Sequence, residues 1–239
     1  MVDNPMALIG LIGGMSWESS ALYYRLLNTI AHRRLGGHHN ARSLLFTLDF
    51  DALNRMAAEG RWDEVAGLIT DAGRRLQDAG ATFVMITAVS GHAVADRVET
   101  ALQIPLLHIA DPFAEAVRAS GHKKVGLLGT RYTMEMDFFS SRLRERHGLE
   151  VLTPPPEQRH ALHRIIVEEL TLGRITQAAR QTLLSMAAGL AERGAEAIAV
   201  ACTELPLVAA MEDYPVAAYD VVQLHVEAAL DRAIAEASA

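Results

Sequence analysis

A single thiol stands in the 239 residues, Cys202, inside the run Ala199-Val200-Ala201-Cys202-Thr203-Glu204-Leu205-Pro206. The apolar residues before it, Ala195 to Val200, read as a buried strand, and Leu205 to Met211 can open a helix. A cysteine at a strand end facing a helix N-terminus is expected to have a lowered pKa and to meet a ligand. There it can attack carbon or carry a proton to and from carbon. The plainer reading is a small buried hydrophobe, the commonest fate of an unpaired cysteine. Nucleophilic hydrolysis would need a histidine beside the thiol. His92 or His225 could reach it only through the fold, and Cys202-Thr203-Glu204 does not itself supply that arrangement.

Three further stretches offer polar groups where strands should end. Gly14-Met15-Ser16 and Thr130-Arg131-Tyr132-Thr133 each present backbone N–H groups at a helix start, a setting that suits a carboxylate. No Gly-rich loop followed by Lys is present, so phosphate is not expected. Ser16 is expected to cap its helix, with Glu18 in the first turn, and Thr133 to cap the later one. Ala88-Val89-Ser90-Gly91-His92 is the third stretch. His92 reads first as a loop-binding residue and second as an acid/base. Glu204 reads as an orienting group, and Trp17 and Trp62 as packing residues.

The elements that must position these groups alternate short apolar runs with helical periods, the pattern of parallel α/β layers. Strands are expected at 7–12, 43–50, 82–87 and 104–109, with helical stripes between them, such as Val65, Leu68, Ile69, Ala72 and Leu76. The pattern then restarts at Lys124 to Thr130. Leu162, Ile165, Ile166 and Leu170 mark a helix ending at Gly173, and Ile175 to Leu190 another. Arg193-Gly194-Ala195-Glu196-Ala197-Ile198 mirrors Ala79-Gly80-Ala81-Thr82-Phe83-Val84, 114 positions earlier. One unit is therefore written twice. Residues 1–112 with 220–239 are expected to form an N-terminal α/β domain with a returning C-terminal helix, and 113–219 a second. Ligands of such sheets bind beyond the C-terminal strand ends, which would gather the four loops around one cleft.

Composition narrows the partners. A net charge of −7 argues against nucleic acid. One cysteine excludes an intrachain disulfide and a cysteine-rich metal site, and points to a reducing, cytoplasmic compartment. Met6 to Met15 is apolar but lacks a basic flank and is broken by Gly10, Gly13 and Gly14, so it reads as a strand rather than a signal peptide. No run approaches the roughly 20 apolar residues of a membrane span.

Ile9-Gly10-Leu11-Ile12-Gly13-Gly14-Met15-Ser16-Trp17-Glu18-Ser19, Leu127-Leu128-Gly129-Thr130-Arg131-Tyr132-Thr133-Met134 and Ala201-Cys202-Thr203-Glu204 together resemble the aspartate/glutamate racemase family, nearest its bacterial aspartate/glutamate-specific members. The resemblance runs nearly end to end. It implies two pseudo-symmetric domains, each a parallel sheet flanked by helices, with the active site at their interface, no cofactor, no metal and a homodimer. It also implies two acid/base groups, usually cysteines, on opposite faces of the substrate α-carbon. Cys202 matches the second. Met15, Ser16, Ala88, Val89, Ser90, Thr130, Tyr132, Thr133, Thr203 and Glu204 match substrate-binding positions for a small carboxylate or amino acid.

The first acid/base position departs from the family. Where Cys-Asn-Thr commonly stands, counting back from His92 gives Ala88-Val89-Ser90. Alanine has no proton to give, and only a register shift would bring Thr87 into its place. Ala161, flanked by His160 and His163, stands where a basic residue often holds the substrate carboxylate, and Ala57 where a polar residue is common. The expectation is a cofactor-independent, racemase-like isomerase using Cys202. The alternatives are a single-cysteine decarboxylase of a malonate-type acid, a homologue that binds an amino acid or carboxylate without turnover, and a dicarboxylate isomerase working through a covalent bond to Cys202.

Overall fold

The computed structural model describes residues 6–237; residues 1–5 and 238–239, which the sequence assigns to the N-terminal domain, lie outside the described residues. The chain divides into two compact units, Met1–Ile109 with His225–Ala239, and Ala110–Leu224.

The first unit runs β1 (Ile9–Gly13), α1 (Trp17–Leu35), β2 (Ser43–Thr47), α2 (Phe50–Ala58), α3 (Trp62–Asp78), β3 (Phe83–Ile86), α4 (Ala95–Ala101) and β4 (Leu106–Leu107). Its strands are parallel, in the order β2-β1-β3-β4. The second unit runs α5 (Ala110–Ala119), β5 (Lys124–Gly129), α6 (Arg131–Glu135), α7 (Asp137–His147), β6 (Glu150–Leu152), α8 (Pro156–Arg164), α9 (Gln177–Glu192), β7 (Ala197–Ala201) and β8 (Ala217–Asp220). Its order, β6-β5-β7-β8, repeats that of the first unit strand for strand. The last helix, α10 (Val221–Ala237), starts in the second unit and belongs to the first from His225 onward.

The duplication extends to the backbone. Gly80 and Gly194, which precede β3 and β7, have φ of 91° and 92°. The central strands β1, β3 and β7 are buried along their whole length, as strands covered on both faces must be. That is why each appears in the sequence as an unbroken apolar run rather than an alternating one. In the first unit α3 lays Val65, Ile69, Ala72 and Leu76 of its expected stripe against Ile12 and Val84, whereas Leu68, counted in the same stripe, is exposed.

Several elements differ from expectation. The strand expected at 43–50 stops at Thr47, because the Asp49 side chain accepts from the Asp51 N–H and starts α2. The strand expected at 104–109 shortens to Leu106–Leu107. The helix through Leu170 ends at Arg164 and continues as a π turn, Ile165–Glu169, and a 3-10 turn, Leu170–Leu172. Ile175 lies outside α9 and is 53% exposed. Trp62 packs against the core of the first unit, but Trp17 is 68% exposed and does not act as a packing residue. Among the described residues no helix is long and apolar enough to cross a membrane.

The turn after β1 is sterically exacting. Gly14 has φ of +87°, and a Cβ there would lie 2.1 Å from the Leu48 carbonyl oxygen. Gly14→Ala therefore combines a left-handed backbone with a clash against main chain. It is expected to destabilise the protein by about 3 kcal/mol or more, read from urea unfolding; a loss under about 1 kcal/mol would mean the turn can rebuild.

Candidate active site

In the second unit β5 and β7 are neighbours, with Gly129 paired to Ala201. The approach is close, since a Cβ on Gly129 would sit 2.7 Å from the Ala201 carbonyl oxygen. The loops carrying Thr130, Tyr132 and Thr133, and Cys202, Thr203 and Glu204, therefore leave the sheet side by side. Thr133 does not cap the following helix. Thr130 occupies the cap position, makes no side-chain cap bond, and shares a hydrogen bond with the buried Thr133 hydroxyl at 3.3 Å. Tyr132 lies edge-on to His163 of α8, ring centroids 5.8 Å apart, and the Arg131 guanidinium carbon is 5.0 Å from the Tyr132 ring centroid.

His163 is a feature that sequence reasoning passed over in favour of position 161. Its Nδ1 is buried without a hydrogen-bond partner. Burial first, then the positive charge of Arg131, pushes its pKa down, so it stands as a neutral ring. The signal available in the sequence was its place next to the apolar pair Ile165-Ile166, which gave no hint that Tyr132 would pack against it.

Cys202 is 6% exposed, and its Sγ–H donates to Glu204 Oε2 at 2.9 Å. The same oxygen accepts from Thr203 Oγ1 at 2.7 Å. The expected helix after the thiol is replaced by a 3-10 turn, Leu205–Leu207, with Pro206 inside it. Three residues of 3-10 turn have no macrodipole to stabilise a thiolate. The expectation of a lowered pKa is overturned. Burial, and after it the negative charge and hydrogen bond of Glu204, push the Cys202 thiol well above its ordinary value. The group rests as a protonated thiol leaning on a carboxylate.

This has a chemical readout. Alkylation by iodoacetamide should stay slow across neutral pH and accelerate only above about pH 9, because the thiolate is the nucleophile. Glu204→Gln removes the charge that holds the thiol up, so its profile should move to lower pH. An unchanged or upward-moved profile would show that the carboxylate does not set the thiol's state.

In the first unit β1 and β3 are neighbours, with Ile12 paired to Ile86, and their loops also emerge together. Met15 packs on the second loop, since a Cβ on Gly91 would lie 3.1 Å from the Met15 sulfur. Ser16 caps α1 as expected, its Oγ accepting from the Ser19 N–H at 3.3 Å. The Gly14 N–H donates to Ser20 Oγ at 2.9 Å. Ala88 and Val89 are buried, and the half-buried Ser90 has a hydroxyl that makes no hydrogen bond among the described residues.

Thr87 is not available to replace the missing group at Ala88. It is fully buried, donates to the Ile12 carbonyl at 3.3 Å and shares a hydrogen bond with Ser20 Oγ at 3.0 Å. Nor is His92 a spare acid/base, because both ring nitrogens bind backbone, Nδ1 at Ala88 O (2.9 Å) and Nε2 at the Ile109 N–H (3.3 Å). His225 is engaged likewise, at Tyr23 Oη and Leu107 O. Among the described residues no group of three or more His, Cys, Asp or Glu is placed to hold a metal ion.

Two parallel α/β units of one topology, each with paired loops at its strand ends and one ending on a thiol–carboxylate pair, define a duplicated α/β protein of the kind that binds small ligands at strand ends. A family model described as Asp/Glu/Hydantoin racemase matches residues 12–229, and the chain belongs to that family. A crystal structure of a candidate Asp/Glu racemase from Yersinia pestis superposes with a TM-score of 0.90 at 42% identity, over 95% of this chain and 98% of that one. An aspartate racemase homologue from Pyrococcus horikoshii gives 0.83 at 31% identity, over 98% and 100%. The broad specificity amino-acid racemase RacX of Bacillus subtilis (strain 168) is 28% identical over 147 residues, 60% of this chain. That match spans 61% of the Bacillus protein, less than two thirds of its length.

Proposed function

We propose that the chain is a cofactor-independent amino-acid racemase or a closely related isomerase, acting at the α-carbon of a small carboxylate substrate through Cys202. The observation that carries this reading is the hydrogen bond from the Cys202 thiol to Glu204 at a strand end of a family member. In the proposed sequence the thiol gives its proton to solvent, the thiolate removes the α-proton, and the electron pair stays on the α-carbon conjugated with the carboxylate. A proton from water then reaches the carbon from the other face, which returns to the substrate the proton that solvent took from the thiol. Thr130, Tyr132, Thr133 and Thr203, on the loops that leave the second sheet beside the thiol, are the residues proposed to hold the substrate. The names of the relatives support an amino acid as the substrate class. A homodimer, which the family resemblance implies, is tested by sedimentation.

Incubation of each enantiomer of an amino-acid panel in deuterium oxide tests the reading. Exchange of the α-proton with loss of optical purity is the expected result, and a panel that neither exchanges nor racemises sinks it.

A second reading has its own observation. A thiol that rests protonated, with no counterpart at Ala88, suits a reaction that needs one acid. In decarboxylation of a malonate-type acid, carbon dioxide leaves, its bonding pair remains on the α-carbon, and the Cys202 proton moves to that carbon. Solvent then reprotonates the thiolate. Carbon dioxide release from a disubstituted malonate, with one enantiomer formed, would favour it over racemisation.

A further inference from the structure

Three buried histidines meet where the chain leaves the first unit and where it returns. His92, His108 and His225 are each at most 2% exposed. The His92 ring lies 4.7 Å from His108 and 5.6 Å from His225, centroid to centroid, and Tyr23 packs edge-on to His225 at 5.8 Å. Ile109 is the last residue before the chain passes to the second unit, and His225 is the first after it returns. His92 accepts from the Ile109 N–H, and His225 donates to the Leu107 carbonyl at 2.9 Å. Both crossings are thus tied to the same cluster.

The backbone partners fix where the protons are. An amide N–H can only donate, so His92 Nε2 carries a lone pair, and the ring proton sits on Nδ1, facing the Ala88 carbonyl. A carbonyl can only accept, so His225 carries its proton on Nε2. In the neutral ring its Nδ1 accepts from the Tyr23 hydroxyl at 3.0 Å. Adjacent rings therefore hold opposite tautomers.

We infer that His92 is the positioning residue of the Ala88–Ser90 loop: a neutral ring protonated at Nδ1 ties the first carbonyl of that loop to the exit of the chain at Ile109, and His225, in the opposite tautomer, secures the preceding strand end and the return. The role of the loop in handling substrate rests on the proposed function; the tie itself does not. It explains why a histidine can stand four residues after the first acid/base position without doing proton chemistry. Its two nitrogens are spent on main chain.

The test uses the full-length chain, labelled with nitrogen-15, and no arm needs turnover, so it succeeds or fails independently of the proposed activity. Ring-nitrogen spectra should show His92 protonated only at Nδ1 and His225 only at Nε2. Two substitutions then divide the two bonds. His92→Asn places an amide donor near the Ala88 carbonyl but has nothing to offer Ile109, whereas His92→Gln reaches the Nε2 position with an acceptor. Amide hydrogen exchange at Ile109 should be about fivefold to tenfold faster in His92→Asn than in His92→Gln. His92→Phe should accelerate exchange at both Ile109 and the Ser90–Gly91 amides, with His92→Gln rescuing Ile109 alone. A His92 ring protonated at Nε2 or at both nitrogens, or equal Ile109 exchange in the Asn and Gln variants, overturns the inference.

Discussion

Cys202→Ser is expected to lower α-proton exchange by on the order of 10²–10⁴-fold, the usual contribution of a positioned acid or base. Serine is a sharp probe here. Its hydroxyl can still donate to Glu204 as the thiol does, so unfolding free energy should stay within about 1.5 kcal/mol of the parent. What it loses is acidity, since an alkoxide is far harder to form than a thiolate. Exchange retained at the parent rate in a folded Cys202→Ser protein would remove the thiol from the mechanism. The pH profile then separates the two readings. Because burial and Glu204 push the thiol well above its ordinary value near 9, a step that needs the thiolate as base should climb with pH through the neutral range. A step that uses the resting thiol as acid should be flat there and fall only when the thiol ionises. Racemisation through Cys202 as base predicts the first profile in the direction of proton removal, and decarboxylation predicts the second.

The thiol's state is where sequence and structure part most usefully. That Cys202 ends a buried strand was readable from the apolar run before it, and the twofold pattern was readable from the spacing of Gly80 and Gly194. Periodicity reports such features because burial on both faces of a parallel strand forces a continuous apolar run. The pKa was not readable, since its direction depends on whether Leu205 to Met211 makes an α-helix or a short 3-10 turn. It also depends on where the Glu204 side chain folds back, and an i, i+2 contact through a turn has no periodic signature. The same holds for Thr87. Its type and position made it a candidate for the missing proton group, and only its bonds to Ile12 and Ser20 withdraw it. His163 and Tyr132, thirty-one positions apart, meet because α6 and α8 pack together, which nothing local records.

Asp111→Asn should destabilise the second unit by about 3 kcal/mol, because it removes the negative charge forked to a buried guanidinium. Asp111 stands in the first turn of α5, and α7 brings Arg142 and His147 to it. Arg142 is forked onto the carboxylate, Nε to Oδ1 at 2.7 Å and Nη2 to Oδ2 at 2.6 Å, with its side chain 7% exposed. His147 Nε2 reaches Oδ1 at 2.9 Å. Burial alone would raise the Asp111 pKa, but the hydrogen bonds and charges of Arg142 and His147 outweigh it and hold the carboxyl below its ordinary value. For an acid depressed in the folded state, the stabilisation is complete above the unfolded pKa, about 3.9, and is lost as pH falls through the folded value. The parent should therefore lose stability steeply below about pH 4, and Asp111→Asn, already without this contribution, should show a flatter acid limb. The double replacement Asp111→Leu with Arg142→Met should recover most of the loss, since exchanging a buried pair for apolar residues is often nearly neutral. Urea unfolding across pH 2–8 reads all three proteins. An Asp111→Asn protein with the parent's acid limb would place the acid sensitivity elsewhere, and a double variant as unstable as the single would mean that packing around α5 and α7, not the unpaired charge, sets the cost.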